Sequence, residues 1–394
     1  MVDKKHRIGV GGLIITPEDK EMVNRVLDSN RLSYGPMTKS FENRFAKLHD
    51  SKFAIFTNSG TSCLHISVAA MKEKYNWEDG DEVIVPAVTF VATSNVVIYN
   101  NLKPVFVDVD PGTFNIDPKR IEEKITSRTR AIMPVHLLGL PADMDPILKI
   151  AKKHNLRILE DSAETMFARY RGRSVGSFGD IGCFSTYVAH YIVTGVGGFS
   201  VTSDPKLAVM LRSIANHGRD SIYISIDDDD AATGHRLKEI ISRRFSFVRF
   251  GHSFRCTEME AALGLSQLRR KDSIVRRRKE IASMYLKGLS DLSEYIYFQK
   301  PMQGAENVYM LFGVVVKGNS KTGLVNYLEE HGIETRDLLP LVNQPVYSKY
   351  FGNKGEYPNA RMLARSGFYI GCHQYISNKD VQHVIKTFHD FFRK

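Results

Sequence analysis

The segment Asn58-Ser59-Gly60-Thr61-Ser62 has the composition of an anion-binding turn. It follows a predicted strand and begins a predicted helix, where the first backbone N–H groups lack partners and the helix dipole favours a negative charge. Gly60 lets the backbone approach a ligand closely. The same residues would also suit a plain turn followed by a helix N-cap. Taken alone, this segment therefore predicts either a phosphate site or a simple turn.

Two ionisable side chains further along the chain could balance charge or move protons. Asp161 ends a predicted strand, at the sheet edge where α/β proteins bind their ligands. A carboxylate there could keep a pyridinium nitrogen protonated, cap a helix or ligate a metal. His190 has an ordinary pKa of about 6.5, which suits an acid or a base near neutral pH. The glycines after it, from Gly195 to Gly198, fit a tight turn and lack the spacing of a dinucleotide-binding fingerprint.

The elements that must position these residues alternate between strand and helix. Between Phe53 and Asp204, short runs rich in Val and Ile are separated by amphipathic stretches such as Pro118–Ile125 and Pro146–His154. This alternation predicts a mostly parallel sheet with helices on both faces, a three-layer α/β domain. The predicted strands are Phe53–Thr57, Glu82–Val85, Pro104–Val109, Ala131–Val135, Arg157–Leu159, Gly182–Thr186 and Gly198–Thr202.

The pattern changes in the last third of the chain. Thr257–Leu289 is predicted as one long helix, and shorter mixed elements follow it. We therefore expect a large α/β domain over residues 1–256, then the connecting helix and a smaller C-terminal α+β domain over residues 257–394. The acidic run Asp227–Asp230 is typical of a solvated loop, and a flap near a charged substrate is the alternative.

Composition and charge exclude several classes of protein. The 54 Lys and Arg against 44 Asp and Glu give a net charge of +10, but no nucleic-acid motif accompanies it, so nucleic acid is not an expected partner. No apolar run is long enough to cross a bilayer, and no targeting segment follows the charged N-terminus, so we expect a cytoplasmic protein. The scattered cysteines, which lack metal-site spacing and predict buried thiols without a bound metal, are Cys63, Cys183, Cys256 and Cys372.

Motifs spread over nearly the whole chain resemble the DegT/DnrJ/StrS family of sugar aminotransferases, which are fold-type-I pyridoxal-phosphate enzymes. The resemblance implies an aspartate aminotransferase-like fold, pyridoxal 5′-phosphate and its pyridoxamine form as cofactor, and a homodimer with shared active sites. The motifs that carry it are Ser33-Tyr34-Gly35-Pro36, Asn58-Ser59-Gly60-Thr61, Pro86-Ala87-Val88-Thr89-Phe90-Val91-Ala92-Thr93, Glu160-Asp161, Gly176-Ser177-Phe178-Gly179-Asp180, Asn216-His217-Gly218-Arg219 and Phe254-Arg255-Cys256-Thr257-Glu258-Met259.

The same resemblance implies roles for individual residues of the cofactor site. Gly60, Thr61 and Ser185 would hold the cofactor phosphate. Asp161 would pair with the pyridine nitrogen, and Phe90 would stack on the ring.

At a further position, Ser253 stands where the family often has an asparagine that reaches the phosphate of the neighbouring subunit. Its hydroxyl can still donate a hydrogen bond.

His190 is the main departure from the family's aminotransferases, which carry a lysine five residues after the Ser185 position. That lysine bonds covalently to the cofactor and moves protons, whereas an imidazole can only move protons. No lysine lies between Lys153 and Lys206 to replace it. One branch of the family has this histidine, the 3-dehydratases of nucleotide-linked 4-keto-6-deoxyhexoses. A non-catalytic relative, or an engineered replacement of the lysine, would also carry it.

Glu164 is a second departure that resembles the dehydratase branch. The aminotransferases usually have Gln or His at this position, the third after Asp161. We expect Glu164 to contact the cofactor, and a structural carboxylate paired with a nearby base is the alternative. The scattered cysteines favour the sub-branch without an iron–sulfur cluster, which acts on GDP-4-keto-6-deoxymannose.

The resemblance implies a reaction in two halves. Glutamate first donates its amino group to the cofactor, and the aminated cofactor then condenses with the C4 ketone of the sugar. His190 would take a proton from the C4′ carbon of the cofactor and return it to the departing C3 hydroxyl. The products would be ammonia and a 4-keto-3,6-dideoxy sugar. A plain sugar aminotransferase, which would leave the nitrogen on the sugar, is the alternative activity.

Overall fold

The computed structural model describes residues 7–221, 232–338, 341–351 and 356–393, so the run Asp227–Asp230 lies outside the described residues. The α-helices in these ranges are α1 (Pro17–Asp28), α2 (Pro36–Leu48), α3 (Gly60–Lys74), α4 (Val91–Tyr99), α5 (Met144–Lys153), α6 (Pro205–Ala215), α7 (Gly234–Arg243), α8 (Glu258–Leu268), α9 (Lys271–Gly288), α10 (Lys321–Glu330), α11 (Pro358–Ser366) and α12 (Asn378–Phe392). The strands are β1 (Phe53–Thr57), β2 (Glu82–Pro86), β3 (Lys103–Val107), β4 (Thr129–Ile132), β5 (Arg157–Asp161), β6 (Arg169–Tyr170), β7 (Arg173–Ser174), β8 (Ile181–Ser185), β9 (Gly198–Thr202), β10 (Ile296–Phe298), β11 (Leu311–Val316), β12 (Thr335–Asp337) and β13 (Gly367–Gly371).

The large sheet has seven strands in the order β1-β9-β8-β5-β4-β2-β3. The four neighbouring pairs from β8 to β3 are parallel, and β9 is antiparallel to both β8 and β1. The segment between β8 and β9 contains no helix, and a reversal without a crossover helix is the connection that antiparallel strands use. The mostly parallel sheet predicted from the sequence is confirmed.

Helices cover both faces of this sheet because successive strand residues point to opposite sides. In β2, Val83 and Val85 belong to an apolar cluster that includes Val96 of α4. Ile84, between them, belongs to a separate cluster that includes Ile147 of α5. The three-layer arrangement follows from this alternation.

A second, smaller sheet is antiparallel throughout, in the order β10-β11-β13-β12. Its residues pack in one apolar cluster with the later part of α9, which begins to contribute at Ile281, and with α12, which contributes Phe388 among others. By contrast, Ala261 and Leu265 of α8 belong to the core of the large sheet. The expected α+β character of the C-terminal part is confirmed, and the division between residues 256 and 257 stays a prediction.

Two predicted helices are wrong in form. Thr257–Leu289 is not one helix, because α8 ends at Leu268 and α9 begins at Lys271. At the break, Arg270 N–H bonds to the carbonyl of Gln267, three residues back, and the Arg270 guanidinium turns to Asp19 of α1 at 2.7 Å. Neither glycine nor proline marks this break, so periodicity could not show it.

The stretch Pro118–Ile125 forms two short 3₁₀ turns rather than an α-helix. The predicted strands agree with the observed ones to within three residues at either end. In the part of the chain that the structure describes, no helix has both the length and the apolar character needed to span a membrane.

Candidate active site

A cavity of about 570 Å³ lies at the carboxyl ends of the parallel strands, where the fold places its ligands. The cavity is lined by loops that follow β1, β2, β5 and β8, and by residues in the smaller sheet or directly before it. Seven of the eight predicted site residues line this cavity: Gly60, Thr61, Phe90, Asp161, Glu164, Ser185 and His190. The eighth, Ser253, does not.

One end of the cavity is formed by the start of α3. Ser59 caps the helix, because its hydroxyl accepts the N–H of Ser62 at 2.9 Å, and α3 begins at Gly60. A Cβ on Gly60 would lie 2.9 Å from the Cβ of Ser185 and 3.1 Å from its hydroxyl oxygen. The turn therefore needs glycine to bring the helix N-terminus beside the Ser185 hydroxyl. Unpaired N–H groups and a hydroxyl at one point make a cradle suited to a phosphate.

A second polar group of the cavity is the carboxylate of Asp161, the last residue of β5. It accepts a hydrogen bond from the Thr93 hydroxyl at 2.8 Å and another from the Ala163 N–H at 3.2 Å. Thr93 in turn contacts the Thr89 hydroxyl at 2.8 Å. Burial raises the pKa of Asp161, and the bond from Thr93 opposes that rise. A buried carboxylate held in this way fits a protonated ring nitrogen, which would supply the missing positive charge.

His190 follows β8 and is buried at the wall of the cavity. Its N–H in the main chain bonds to the Tyr187 carbonyl at 2.9 Å. Among the described residues, the Nδ1 atom of its ring has no hydrogen-bond partner. Burial first, and then the charge of Arg278, lower the pKa of His190 to about 3. The imidazole is therefore neutral near pH 7, and its Nδ1 atom accepts no hydrogen bond from the described residues.

Glu164 lies in the same cavity and has the opposite tendency. Its Oε2 atom accepts the N–H of Leu138 at 2.8 Å. Burial, with a smaller effect of the Asp161 charge, raises the pKa of Glu164 to about 7. A neutral base and a partly protonated acid thus line one cavity, a pattern typical of sites that transfer protons.

Ser253 lies in an exposed group with His217 and Arg255, outside the cavity of its own chain. The Arg255 guanidinium is 3.2 Å from the Ser253 hydroxyl and 3.3 Å from Nε2 of His217. The contact predicted for Ser253, with the cofactor phosphate of a neighbouring subunit, stays a prediction.

Several residues that line or support the cavity were not predicted from the sequence. Thr93 lies within the motif that ends at that residue, but nothing local predicts its bond to Asp161, which is 68 residues away in the sequence. Arg336 and Tyr369 come from the smaller sheet, far away in sequence, and nothing local marks them.

Metal binding has no evident site in the described residues, where no three His, Cys, Asp or Glu side chains gather around one point. The four cysteines are buried and form no disulfide. The independence from metal stays a prediction.

Comparison with known proteins gives the family. Residues 13–389 match the model of the DegT/DnrJ/EryC1/StrS aminotransferase family. The chain belongs to this family. It is 33% identical over 391 residues to GDP-4-keto-6-deoxy-D-mannose 3-dehydratase of Yersinia pseudotuberculosis, covering 96% of this chain and 97% of that protein. It is 32% identical over 381 residues to GDP-perosamine synthase of Escherichia coli O157:H7, covering 96% of each.

The fold matches a solved structure of the E. coli GDP-4-keto-6-deoxy-D-mannose-3-dehydratase with bound hydrated PLP. The TM-score is 0.87 at 29% identity, over 97% of this chain and 100% of that chain. The predicted fold-type-I architecture is confirmed. The family depends on pyridoxal phosphate, and the cavity suits that cofactor, with a phosphate cradle at Gly60 and Ser185 and a buried carboxylate at Asp161.

Proposed function

We propose that this enzyme removes the C3 hydroxyl of a nucleotide-linked 4-keto-6-deoxyhexose, GDP-4-keto-6-deoxymannose, with glutamate as amino donor. The observation that carries the proposal is His190, a buried and neutral imidazole with a free ring nitrogen at the wall of the cofactor cavity. The products are 4-keto-3,6-dideoxy sugar nucleotide, 2-oxoglutarate and ammonia.

Overall similarity does not separate dehydration from amination. The 3-dehydratase and the perosamine synthase are almost equally similar to this chain, at 33% and 32% identity. The difference lies in the cavity, where none of the described lining residues is a lysine. An aminotransferase of this family uses such a lysine to hold its cofactor and to protonate the sugar, so its absence favours dehydration.

The predicted site residues in the cavity have defined tasks in this proposal. The bound cofactor would supply an electron sink. The start of α3 and Ser185 would hold its phosphate, Phe90 would stack on its ring, and Asp161 would keep its ring nitrogen protonated. His190 would take the proton from the C4′ carbon and, as imidazolium, would give a proton to the departing C3 hydroxyl.

Glu164 contacts the cofactor as a carboxylic acid. Because its pKa is raised to about 7, it can donate a hydrogen bond near neutral pH. A side chain that donates there replaces the Gln or His of the aminotransferases.

The active enzyme is a homodimer in which Ser253 completes the site of the other subunit. The position of Ser253 supports this, since the residue is exposed and lies off its own cavity. Exposed aromatic side chains in the preceding loop, Phe247 and Phe250, lie in the same segment and suit a protein interface. A cytoplasmic location is part of the proposal, because nucleotide sugars are made there.

A sugar aminotransferase is the second candidate, favoured by the similarity to perosamine synthase. Mass spectrometry of GDP-4-keto-6-deoxymannose incubated with the enzyme, pyridoxal phosphate and glutamate distinguishes the two. We expect a product lighter by one oxygen atom, and none from His190→Asn. A product in which an amino group replaces the keto oxygen would contradict the proposal, and no product at all would point to a non-catalytic relative.

A further inference from the structure

A fully buried arginine lies directly behind His190. Arg278, in the middle of α9, donates from Nη2 to the backbone carbonyl of His190 at 3.1 Å. Its other nitrogens bond to the Met310 carbonyl at 2.7 Å and to the Gln374 side chain at 3.0 Å. The guanidinium also stacks over the Tyr191 ring, at 4.6 Å from the centroid. Arg278 thus ties the segment of His190 to two strand ends of the smaller sheet.

The charge of Arg278 is not neutralised by a carboxylate. All three hydrogen-bond acceptors are uncharged, and within the described part of the chain no Asp or Glu forms an ion pair with it. Burying an unpaired charge is costly, and burial lowers the pKa of Arg278 accordingly. Neutral side chains can donate hydrogen bonds without that cost, which indicates that the positive charge itself has a use.

We propose that Arg278 is a positioning residue for His190, which fixes the backbone of that residue and whose charge disfavours a second positive charge on the imidazole. The repulsion favours the uncharged imidazole in the resting enzyme and, once His190 is protonated, favours release of that proton. The inference rests on the proposed function in one respect, that His190 is the base of the reaction.

Other ionisable groups line the same cavity as His190. They are Asp161 and Glu164 at and after the end of β5, Tyr187 in its own segment, and Arg336 and Tyr369 of the smaller sheet. Tyr191 is its neighbour in the sequence. Arg278 is the largest charge effect on the pKa of His190 after burial, and the Ala163 carbonyl acts in the opposite direction.

Two substitutions separate the charge from the hydrogen bonds. Arg278→Lys keeps the charge but cannot reach all three acceptors, so we expect a lower kcat and an unchanged acid limb of kcat/KM. Arg278→Met removes the charge, so we expect the acid limb to move up by roughly one pH unit. Arg277→Gln is the matched control, because Arg277 lies next to it on α9 but binds the Ile376 carbonyl and Asn378 at the surface.

A measurement without turnover makes the test independent of the proposed reaction. In cofactor-free protein with ¹⁵N-labelled histidine, the His190 signal is identified by its loss in His190→Asn and followed against pH. We expect it to titrate at higher pH in Arg278→Met than in the wild type and in Arg278→Lys. If Arg278→Met does not fold, Arg278→Gln gives the same comparison.

Several results would overturn the inference. It is wrong if the His190 signals of Arg278→Met and the wild type change at the same pH. It is also wrong if Arg278→Lys shifts as far as Arg278→Met, because the charge would then not be the cause. A failure of the proposed dehydration, with the shift in the ¹⁵N titration present, would leave the role of Arg278 intact and reject only the reaction.

Discussion

Gly60→Ala should weaken cofactor binding through its phosphate. The new methyl would lie 2.9 Å from the Cβ of Ser185 and 3.1 Å from its hydroxyl oxygen, well inside the usual separation of about 3.5–4.0 Å. Forcing a methyl into such a space costs about 1–3 kcal/mol. Since about 1.4 kcal/mol is a factor of ten, the Kd for pyridoxal phosphate should rise roughly 5- to 150-fold.

The strain falls on the two groups that form the phosphate cradle, so its effect should depend on the phosphate. Titration with pyridoxal phosphate, followed by absorbance, should show the loss, and pyridoxal without its phosphate should bind both proteins similarly. Gly323→Ala is the matched control, because a Cβ there meets the Phe391 ring at an ordinary 3.4 Å on α10. Equal affinity of Gly60→Ala and the wild type for pyridoxal phosphate would refute the assignment of the cradle.

Three further predictions concern the other polar groups. Thr93→Val removes a hydrogen bond to a buried carboxylate, typically worth about 1.5–3 kcal/mol, so kcat should fall by roughly ten- to hundredfold, whereas Thr93→Ser should stay close to the wild type. Activity of the wild type should fall as pH rises through about 7, because Glu164 then loses its proton, and Glu164→Gln should remove this fall. Because the pKa of Glu164 is raised by folding, the wild type should also lose stability as pH rises from about 4.5 to 7. The melting temperature of the variant should depend less on pH in this range. Borohydride should not attach pyridoxal phosphate to the wild type but should do so to His190→Lys, as peptide mass spectrometry would show.

The strands of the large sheet and their approximate bounds could be predicted because most of them are short apolar runs rich in Val and Ile, whereas the strand order was not predicted. The break between α8 and α9 could not, since it depends on the contact of Arg270 with Asp19, 251 residues away in the sequence. Pro118–Ile125 has helical composition, but it forms two short 3₁₀ turns. Local patterns thus gave the strands, and tertiary contacts decided the helix ends.

The candidate site shows the same division. Gly60, Asp161 and His190 lie at or shortly after the carboxyl ends of strands, where the fold brings them to one cavity, and the order of the motifs identified them. Arg278 is different, because it belongs to a run of three arginines, Arg276 to Arg278, and such a run predicts a solvated helix face. Only the packing of α9 against the His190 segment shows that this one is buried.

The fate of the amino nitrogen tests the central claim most directly. A lysine is long enough to carry a proton from the C4′ carbon to sugar C4, whereas the shorter and stiffer imidazole of His190 serves the C3 hydroxyl. General acid assistance is typically worth about 10²–10⁴ in rate, so elimination should outrun protonation at C4. With ¹⁵N-glutamate, the label should appear as free ammonium, in step with 2-oxoglutarate and with a sugar that has lost its C3 hydroxyl. Label retained on a sugar with its C3 hydroxyl intact would show an aminotransferase and contradict the role assigned to His190.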